Sequence, residues 1–463
     1  MPTLLKSVLA AVGLDALQTA TWDIHLIFLQ RAVRLFAYGA STLILALMFS
    51  ALGFSDTQIG IFMTLTLLGD VLISLVLTLV ADKVGRRRIL VAGALLMMAS
   101  GVVFALSGSF VVLLIAAIVG VISPSGNEIG PFRSVEESIQ AQLTPAHLRA
   151  EIFAISGLVG SLATALGQIS IGWFTRHMQD TAGWSEIATY RATFWLYSVC
   201  AAVKLLLTLM MSEVCEVEAP IAEYMPVGTD DDIPLSAKDS PMIEEPPTQI
   251  TPVEQPGILS KAASLFPSLS KESKNTVVKL ALLLGLDSGA SGLIPMSLMV
   301  YYFSQKFHLP TNTLGIIFFT TSIVASISQL LSASVAKRFG LIRTMFFTHF
   351  PSSLMLALIP VPNVYFASTV LVIRFCTGSM DVAPRTALIS QLVLNDERTS
   401  VMGILNTVRT LTQAIGPWIS GGLSERGNLW ISFVVAAGLK SVYDFGMLAM
   451  FINVGPRDED VTS

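Results

Sequence analysis

The two halves of the chain repeat each other. Gly60 and Gly85 of the first half recur 255 positions later as Gly315 and Gly340. A single offset of 249 positions then relates seven further residues of the first half to seven of the second: Gln142, Leu143, Arg149, Ile155, Leu162, Gly167 and Gly172 recur as Gln391, Leu392, Arg398, Ile404, Leu411, Gly416 and Gly421. So long a repeat constrains the whole architecture, because both copies must fold alike. Each copy is almost entirely apolar, so the sequence predicts a duplicated membrane protein.

The composition excludes a water-soluble protein. The 463 residues are 53% hydrophobic and only 13% charged, with a mean hydropathy of +0.70, whereas soluble proteins carry about 25% charged residues. The three cysteines are too few for a disulfide framework, and no metal-ligand spacing is present. We therefore expect no cofactor, no metal and no nucleic-acid partner, and the chain carries no nucleophile–base pair typical of an enzyme.

Apolar runs of about twenty residues are typical of transmembrane helices. They fall into two sets of six, which predicts an all-α integral membrane protein with twelve transmembrane helices in two pseudo-symmetric six-helix bundles. The runs lie near residues 27–53, 58–80, 89–107, 110–131, 152–174, 192–212, 277–303, 311–335, 344–361, 364–393, 402–423 and 430–452.

Three segments outside these runs are polar or short. The leader, residues 1–24, is predicted to be either an amphipathic helix on the membrane surface or a disordered segment. The apolar runs themselves assign residues 25–212 to an N-terminal bundle and residues 276–452 to a C-terminal bundle. The linker between them, 213–275, is rich in acids and proline and cannot bury enough apolar area to fold. A tail, 453–463, completes the chain.

Basic residues in the short loops predict the orientation, because such residues favour the cytoplasmic side. They concentrate after the second and eighth runs, as Lys83, Arg86, Arg87, Arg88, Lys337, Arg338 and Arg343. Both termini and the linker are therefore predicted to be cytoplasmic. The membrane expected is the plasma membrane, with an internal membrane as the alternative.

One loop carries a recognisable motif. The sequence Asp82-Lys83-Val84-Gly85-Arg86-Arg87 follows the second run, and it resembles the signature between the second and third helices of the major facilitator superfamily. In that family the loop holds the cytoplasmic gate shut, through charge-assisted hydrogen bonds to neighbouring helix ends. The alternative is simple positive-inside anchoring. The second copy has Lys337 where the acid belongs, so it is expected to anchor more than to gate.

The resemblance extends over the chain outside the leader, linker and tail. The stretches 123–132 and 380–385, with Glu397 and Arg398, look like a branch of this superfamily without an assigned substrate. The resemblance implies two six-helix bundles around a central cavity, and alternating access by rocking one bundle against the other. It implies the fold much more firmly than the transported substrate.

Two acids lie deep within predicted helices, where ionisable residues usually serve function. Asp70 precedes Asp82 by twelve residues, or roughly 18 Å of helix, which places it near the bilayer midplane. Asp287 lies at a similar depth in the seventh helix. Their counterparts in the opposite repeat are Ala325 and Ala37, so neither acid is needed by the repeated scaffold. Each is interpreted either as a proton carrier or as a structural acid paired with an arginine.

Other acids differ in their relation to the repeat. Glu128 and Asp381 correspond across it, each three residues before a proline, and can serve the scaffold, a hinge or transport directly. Glu136 and Glu137 lie between Pro131 and Arg149, a stretch that is four residues longer than its counterpart from Pro384 to Arg398. These two are expected to be exposed near the cytoplasmic end of their helix.

Several arginines are candidate partners for the buried acids. Arg34 is placed deep enough in the first helix to meet a carboxylate, whereas Arg31 is expected to extend to the membrane interface. Arg374 and Arg385, farther inside the second half, are expected to be paired. Arg133 and Arg409 are further candidates.

Together these patterns predict a monomeric protein in the lipid bilayer that carries out secondary active transport of a small organic solute, coupled to protons. The predicted proton-coupling and substrate-cavity residues are Asp70, Asp287, Glu128, Asp381, Arg34, Arg374 and Arg385, and the gating loop comprises Asp82, Lys83, Gly85, Arg86 and Arg87. The alternatives are a facilitative uniporter and a non-transporting ligand sensor with a transporter fold.

Overall fold

A computed structural model describes residue 17, residues 19–120, residue 122, and residues 131–216, 271–393 and 397–452. For residues 74–83 the description covers the backbone alone. Nearly all of the predicted leader, most of the predicted linker and the whole tail lie outside these ranges, so the expectations for them stay predictions.

The described residues of the first half form seven α-helices. In chain order they are α1 (Trp22–Ala51), α2 (Asp56–Val84), α3 (Arg86–Leu106), α4 (Phe110–Val119), α5 (Pro131–Leu143), α6 (Arg149–Ala182) and α7 (Glu186–Leu209). Helix α4 lies within the fourth predicted run, and α5 begins at the last residue of that run.

In the second half, residues 271–393 and 397–452 form eight α-helices, because two of the predicted runs are broken. They are α8 (Lys271–Leu293), α9 (Met296–Phe307), α10 (Thr311–Phe339), α11 (Leu341–Leu358), α12 (Val364–Gly378), α13 (Val382–Leu392), α14 (Arg398–Glu425) and α15 (Leu429–Phe451). Pro295 separates α8 from α9, since proline has no N–H for the helical ladder. A short 3₁₀ turn, Ser379–Asp381, separates α12 from α13.

The described residues contain helices and no strand. Nine spans among them are long and apolar enough to cross a membrane. The predicted fourth, ninth and eleventh spans are helical, as α4 with α5, α11 and α14, but they do not reach that length and apolarity. The membrane-spanning helical fold is therefore confirmed, whereas the number twelve stays a prediction.

The repeat is visible in the backbone at two matched turns. Gly85, between α2 and α3, has a φ of +100°, and Gly340, between α10 and α11, has a φ of +86°. Both values lie in a region that side chains with a Cβ rarely adopt, so glycine is required at both turns. The glycines that revealed the repeat thus occupy equivalent turns in the two halves.

Apolar side chains cover both the interior and much of the outer surface. The largest buried cluster includes an aromatic group in the first half, comprising Phe49, Phe62, Phe104 and Phe194. Large apolar residues such as Leu29, Trp195 and Leu206 remain exposed. An exposed apolar surface of this extent suits a lipid environment, because water would penalise it.

Small residues bring the two halves into contact. We name the end of the molecule that carries Gly85 and Gly340 the basic end, and the other the opposite end. Toward the opposite end, a Cβ added to Gly421 of α14 would lie 2.9 Å from the Cα of Gly60 of α2. A Cβ added to Gly172 of α6 would lie 3.0 Å from the Cα of Gly315 of α10. Because these glycines correspond in the repeat, the two contacts are related by pseudo-symmetry.

These contacts predict that Gly421→Ala opens the opposite end. The new methyl group would also lie 2.5 Å from the carbonyl oxygen of Asp56, and overpacking of this kind costs about 1–3 kcal/mol. Spin labels at Gln58 and Arg426, in a background without the native cysteines, should report a longer distance across the halves.

Gly422→Ala is the matched control, because a Cβ at this neighbouring position would meet nothing within 4 Å. We expect the distance in this variant to match that of the parent protein. Equal distances in the Gly421→Ala and Gly422→Ala variants would contradict the assignment of Gly421 as a contact point between the halves.

Two buried ionic clusters and the candidate substrate path

Polar side chains join the halves at the opposite end. Asp56, at the start of α2, accepts a hydrogen bond of 2.7 Å from the Tyr301 hydroxyl of α9, and a second from the Ser424 hydroxyl of α14. On the other helix pair, Thr175 of α6 donates to Thr311 of α10 at 2.8 Å. These hydrogen bonds add to the glycine contacts, so the two halves are held together at this end.

A carboxylate at the centre of the first half binds three cations. Glu136 of α5 is fully buried. Its Oε2 lies 2.7 Å from Nη2 of Arg34 and 3.5 Å from Nη1 of Arg31, both on α1, and its Oε1 lies 3.7 Å from Nζ of Lys204 on α7. The Lys204 ammonium also lies 4.2 Å from the ring centroid of Phe132, a distance that suits a cation–π contact. This N-terminal cluster ties three helices together.

The sequence interpretation of two of these residues was wrong. Glu136 is not exposed, because α5 turns it toward α1 and α7, and only Glu137 is partly exposed, paired with Arg133. Arg31 does not extend to the interface; it is buried and also donates to the Ser156 carbonyl at 3.0 Å. Three cations compensate the charge of the buried Glu136, and Glu136 in turn keeps the Arg31 guanidinium inside the first half.

A corresponding cluster lies in the second half. Asp287 of α8 is almost fully buried. Its Oδ1 lies 2.6 Å from Nζ of Lys440 on α15, and its Oδ2 lies 2.9 Å from Nη1 of Arg385 on α13. Lys440 also donates to the Ser291 hydroxyl at 2.8 Å. Asp287 thus occupies the paired position that was one of its two sequence interpretations, and its role in coupling stays a proposal.

The second cluster extends beyond this centre. Arg385 makes a further ion pair of 2.9 Å with Asp381, one turn earlier. His349 of α11 lies 3.6 Å from Asp287 through Nε2 and 2.6 Å from Asp444 of α15 through Nδ1. Ser353 completes the chain by donating to Asp444 at 2.9 Å. This C-terminal cluster therefore connects α8, α11, α13 and α15.

The two clusters share a plan but exchange the sign of the charges. In the first half, the first helix supplies a cation, Arg34, and α5 supplies the acid, Glu136. In the second half, α8 supplies the acid, Asp287, and α13 supplies the cation, Arg385. The last helix of each half, α7 or α15, adds a lysine to the acid. The two halves thus share the acid–cation pairing, but the helix that supplies the acid in one half corresponds to the helix that supplies the cation in the other.

Two arginines of the second half lie outside this pairing. Arg374 of α12 was expected to be paired, but no carboxylate of the described residues lies within 4 Å of it; it lies over the Phe375 ring at 5.1 Å. Arg409 of α14 donates through Nε to the Ser288 hydroxyl at 3.3 Å and likewise has no described carboxylate within that distance. Both are partly buried. The structure therefore corrects the expectation for Arg374.

Asp70 is fully buried within the first half, on α2. Both Asp70 and Arg34 lie close enough to Tyr197 of α7 to act on its hydroxyl electrostatically. Asp70 is therefore near the N-terminal cluster, although it is not one of the three partners of Glu136 described above. Its proposed role in coupling depends on that depth.

Some predicted site residues cannot be compared with the structure. Glu128 lies outside the described residues, and the side chains of Asp82 and Lys83 are not described. Asp381, the repeat counterpart of Glu128, is fully buried at the α12–α13 break. The hinge and gating interpretations of these residues stay predictions.

The described part of the gating loop binds within its own half. The Arg86 guanidinium donates to Gln142 of α5 at 2.5 Å, and that of Arg87 donates to the Leu209 carbonyl of α7 at 2.7 Å. The backbone N–H of Arg87 donates to the Glu216 carboxylate at 3.2 Å. Within the described residues, no hydrogen bond or ion pair of these two arginines reaches the second half.

Sequence reasoning missed four members of the clusters: Lys204, Lys440, His349 and Asp444. A signal for them was present, because each is an ionisable residue inside an apolar run, and such residues are costly in a membrane. The sequence interpretation considered only arginines as partners for the buried acids. It therefore omitted the lysines that complete both clusters.

The fold and site together define a class: a multi-pass membrane protein of two pseudo-symmetric helical halves, with buried ionic clusters in each half. The sequence pattern of the Major Facilitator Superfamily matches residues 27–224 and 280–462. The chain belongs to this superfamily. An uncharacterized membrane protein of Saccharomyces cerevisiae is 34% identical over 443 residues, which make up 95% of this chain and 96% of the yeast protein.

Solved structures of transporters have the same fold. A mutant of the nucleoside transporter NupG matches with a TM-score of 0.67 and 14% sequence identity, and the match covers 93% of this chain and 100% of the NupG chain. The inward-open xylose transporter XylE from E. coli matches with a TM-score of 0.65 and 15% identity, over 92% of this chain and 96% of that one. The chain therefore has the fold of these membrane transporters.

Proposed function

We propose that the protein is a secondary active transporter that moves a small organic solute by alternating access, with coupling to protons. The main support for this proposal is that the contacts between the two halves described above lie toward the opposite end of the molecule. Asp56, Gly60 and Gly172 contact the second half toward the opposite end. At the basic end, Arg86 and Arg87 bind within their own half.

This arrangement suits one state of a rocking cycle. Toward the basic end, Gly157 of α6 and its repeat counterpart Asn406 of α14 are exposed, and a Cβ added to Gly157 would meet nothing within 4 Å. Opening at the opposite end would require the bonds of Asp56 and the two glycine contacts to separate. If the basic end is cytoplasmic, as the loop charges indicate, the present state opens inward.

Proton coupling requires a carboxylate that can exchange its proton during the cycle. Asp70 is the first candidate because it is buried, lies deep in α2 and has no acid at its repeat counterpart, Ala325. Asp287 is the second, although its close contacts with Lys440 and Arg385 favour the charged form in this state. Rearrangement of those contacts would be needed for Asp287 to bind a proton.

The transport proposal is tested by comparing metabolites in cells with and without the protein. The leading hits are then measured as flux into proteoliposomes that contain the purified full chain, with and without an imposed pH gradient. Flux that increases with the gradient supports coupled transport. Flux that is indifferent to the gradient would favour a uniporter, and saturable binding without flux would favour a sensor.

We expect Asp70→Asn to abolish gradient-driven accumulation while leaving exchange of the solute across the membrane, because the amide cannot bind and release a proton. Accumulation should fall at least tenfold. The unfolding temperature should remain near that of the parent, since asparagine preserves the side-chain shape. Leu72→Ala is a suitable control on the same helix, because the Leu72 side chain is exposed. Gradient-driven accumulation by Asp70→Asn at the parental level would remove Asp70 from the coupling mechanism.

A further inference from the structure

The second half contains more buried positive charge than its acids account for. The three buried acids among its described residues, Asp287, Asp381 and Asp444, have partners in Arg385, Lys440 and His349. Two partly buried arginines, Arg374 and Arg409, are not among these partners. Neither has a carboxylate within 4 Å among the described residues.

Arg374 is partly buried in the second half. It lies near enough to Asp287, on the separate helix α8, to interact with it electrostatically. Its Nε is buried and has no hydrogen-bond partner. The Arg374 guanidinium therefore lies near the C-terminal cluster with a donor that is not used.

Arg409 reaches the same cluster from α14. Its charge is affected by Asp287, Arg385 and Tyr443, and its hydrogen bond to Ser288 uses only Nε. The Tyr443 hydroxyl is also buried without a hydrogen-bond partner. Arg374 and Tyr443 each therefore have a buried polar group without a partner, and Tyr443 lies near Arg409.

An uncompensated guanidinium in the membrane interior is costly, and such residues commonly mark a ligand path. Guanidinium groups bind carboxylate, phosphate and sulfonate groups especially well, because their donors match two acceptor oxygens. A bound anion would supply the negative charge that this part of the structure lacks. The carboxylates nearby are already paired and would not prevent such binding.

We propose that the transported substrate is an organic anion, and that its carboxylate, phosphate or sulfonate group binds Arg374 and Arg409. This inference rests on the proposed transport function and specifies the substrate class for it. The Tyr443 hydroxyl supplies a further hydrogen bond to the anionic group. Neutral and cationic solutes lack the group that this site requires.

Binding is tested by thermal unfolding of the purified full chain in detergent. The probes are benzoate, succinate, citrate, glucose 6-phosphate and methanesulfonate, each compared with a neutral counterpart such as benzamide, succinamide, trimethyl citrate, glucose or dimethyl sulfone. We expect at least one anion to raise the unfolding temperature in a saturable way, as a ligand of the folded state does. Its neutral counterpart should have no effect.

Substitution then assigns the site. Arg374→Gln and Arg409→Gln should each weaken the binding of the active anion at least tenfold, whereas the lysine variants should retain part of it. Arg133→Gln and Arg176→Gln are controls, because these arginines are exposed and already paired with Glu137 and Asp180. Without ligand, Arg374→Gln should unfold at the parental temperature or above it, because an unpaired buried charge has been removed.

Several outcomes would overturn the proposal: no anion-dependent stabilisation across the probes, equal stabilisation by the neutral counterparts, or unchanged binding in both glutamine variants. A ligand-free Arg374→Gln that unfolds well below the parent would assign Arg374 a structural role instead. Anion binding without flux in proteoliposomes would contradict transport but leave the anion site intact. Flux of a neutral solute, without any effect of anions, would support transport and contradict the anion site.

Discussion

Replacing Glu136 with glutamine should destabilise the protein severely. The carboxylate of Glu136 contacts Arg31, Arg34 and Lys204, and the neutral amide would leave these buried cations without their shared acid. Breaking a buried ion pair from one side costs about 3–5 kcal/mol. We expect the unfolding temperature in detergent to fall on the order of 10 °C, with little transport remaining.

The neighbouring residue provides the control. Glu137 pairs with Arg133 at 2.7 Å, but both side chains are largely exposed, and pairs of that kind contribute only about 0–1 kcal/mol. Glu137→Gln should therefore unfold close to the parental temperature. If the Glu136→Gln and Glu137→Gln variants are equally stable, then Glu136 does not organise the N-terminal cluster.

Replacing Asp287 with asparagine should have an effect of similar size in the second half. Asp287 is the acid nearest to Lys440, and it shares Arg385 with Asp381. Asparagine would leave the Lys440 ammonium buried with only the Ser291 hydroxyl close by. A loss of about 3–5 kcal/mol is expected, measured as a lower unfolding temperature together with lost transport.

A second substitution tests whether charge is the cause. The double variant Asp287→Asn/Lys440→Met removes the acid and its closest cation together, so it should recover most of the stability without recovering transport. Ser291→Ala is the matched control, because it removes only a neutral hydrogen bond to Lys440, worth about 1 kcal/mol. A double variant no more stable than Asp287→Asn alone would argue against this ion pair.

The membrane-spanning fold was predictable because its determinants are local and repeated. Twenty-residue apolar runs specify helices directly, and the recurrence of Gly85 as Gly340 correctly indicated equivalent turns. The repeat did not indicate which glycines would meet, because Gly60 contacts Gly421 only after the halves assemble.

The ionic clusters were less predictable because they depend on which face of each helix turns inward. Glu136 and Glu137 are adjacent in sequence, yet one is fully buried and the other is partly exposed. Arg374 and Arg385 both lie deep in the second half, yet only Arg385 meets an acid. Depth along the chain could be counted from the sequence, whereas rotation about the helix axis could not.

The reversed polarity of the two clusters has a consequence for how a duplicated chain assembles. Two similar halves could exchange equivalent helices while the chain inserts into the membrane. Such an exchange would place Arg34 of α1 near Arg385 of α13, and Asp287 of α8 near Glu136 of α5, and like charges brought together in this way repel strongly. The opposite signs therefore favour the pairing of α1 with α5 and of α8 with α13, each within its own half, whereas α7 and α15 both supply a lysine and are not distinguished in this way.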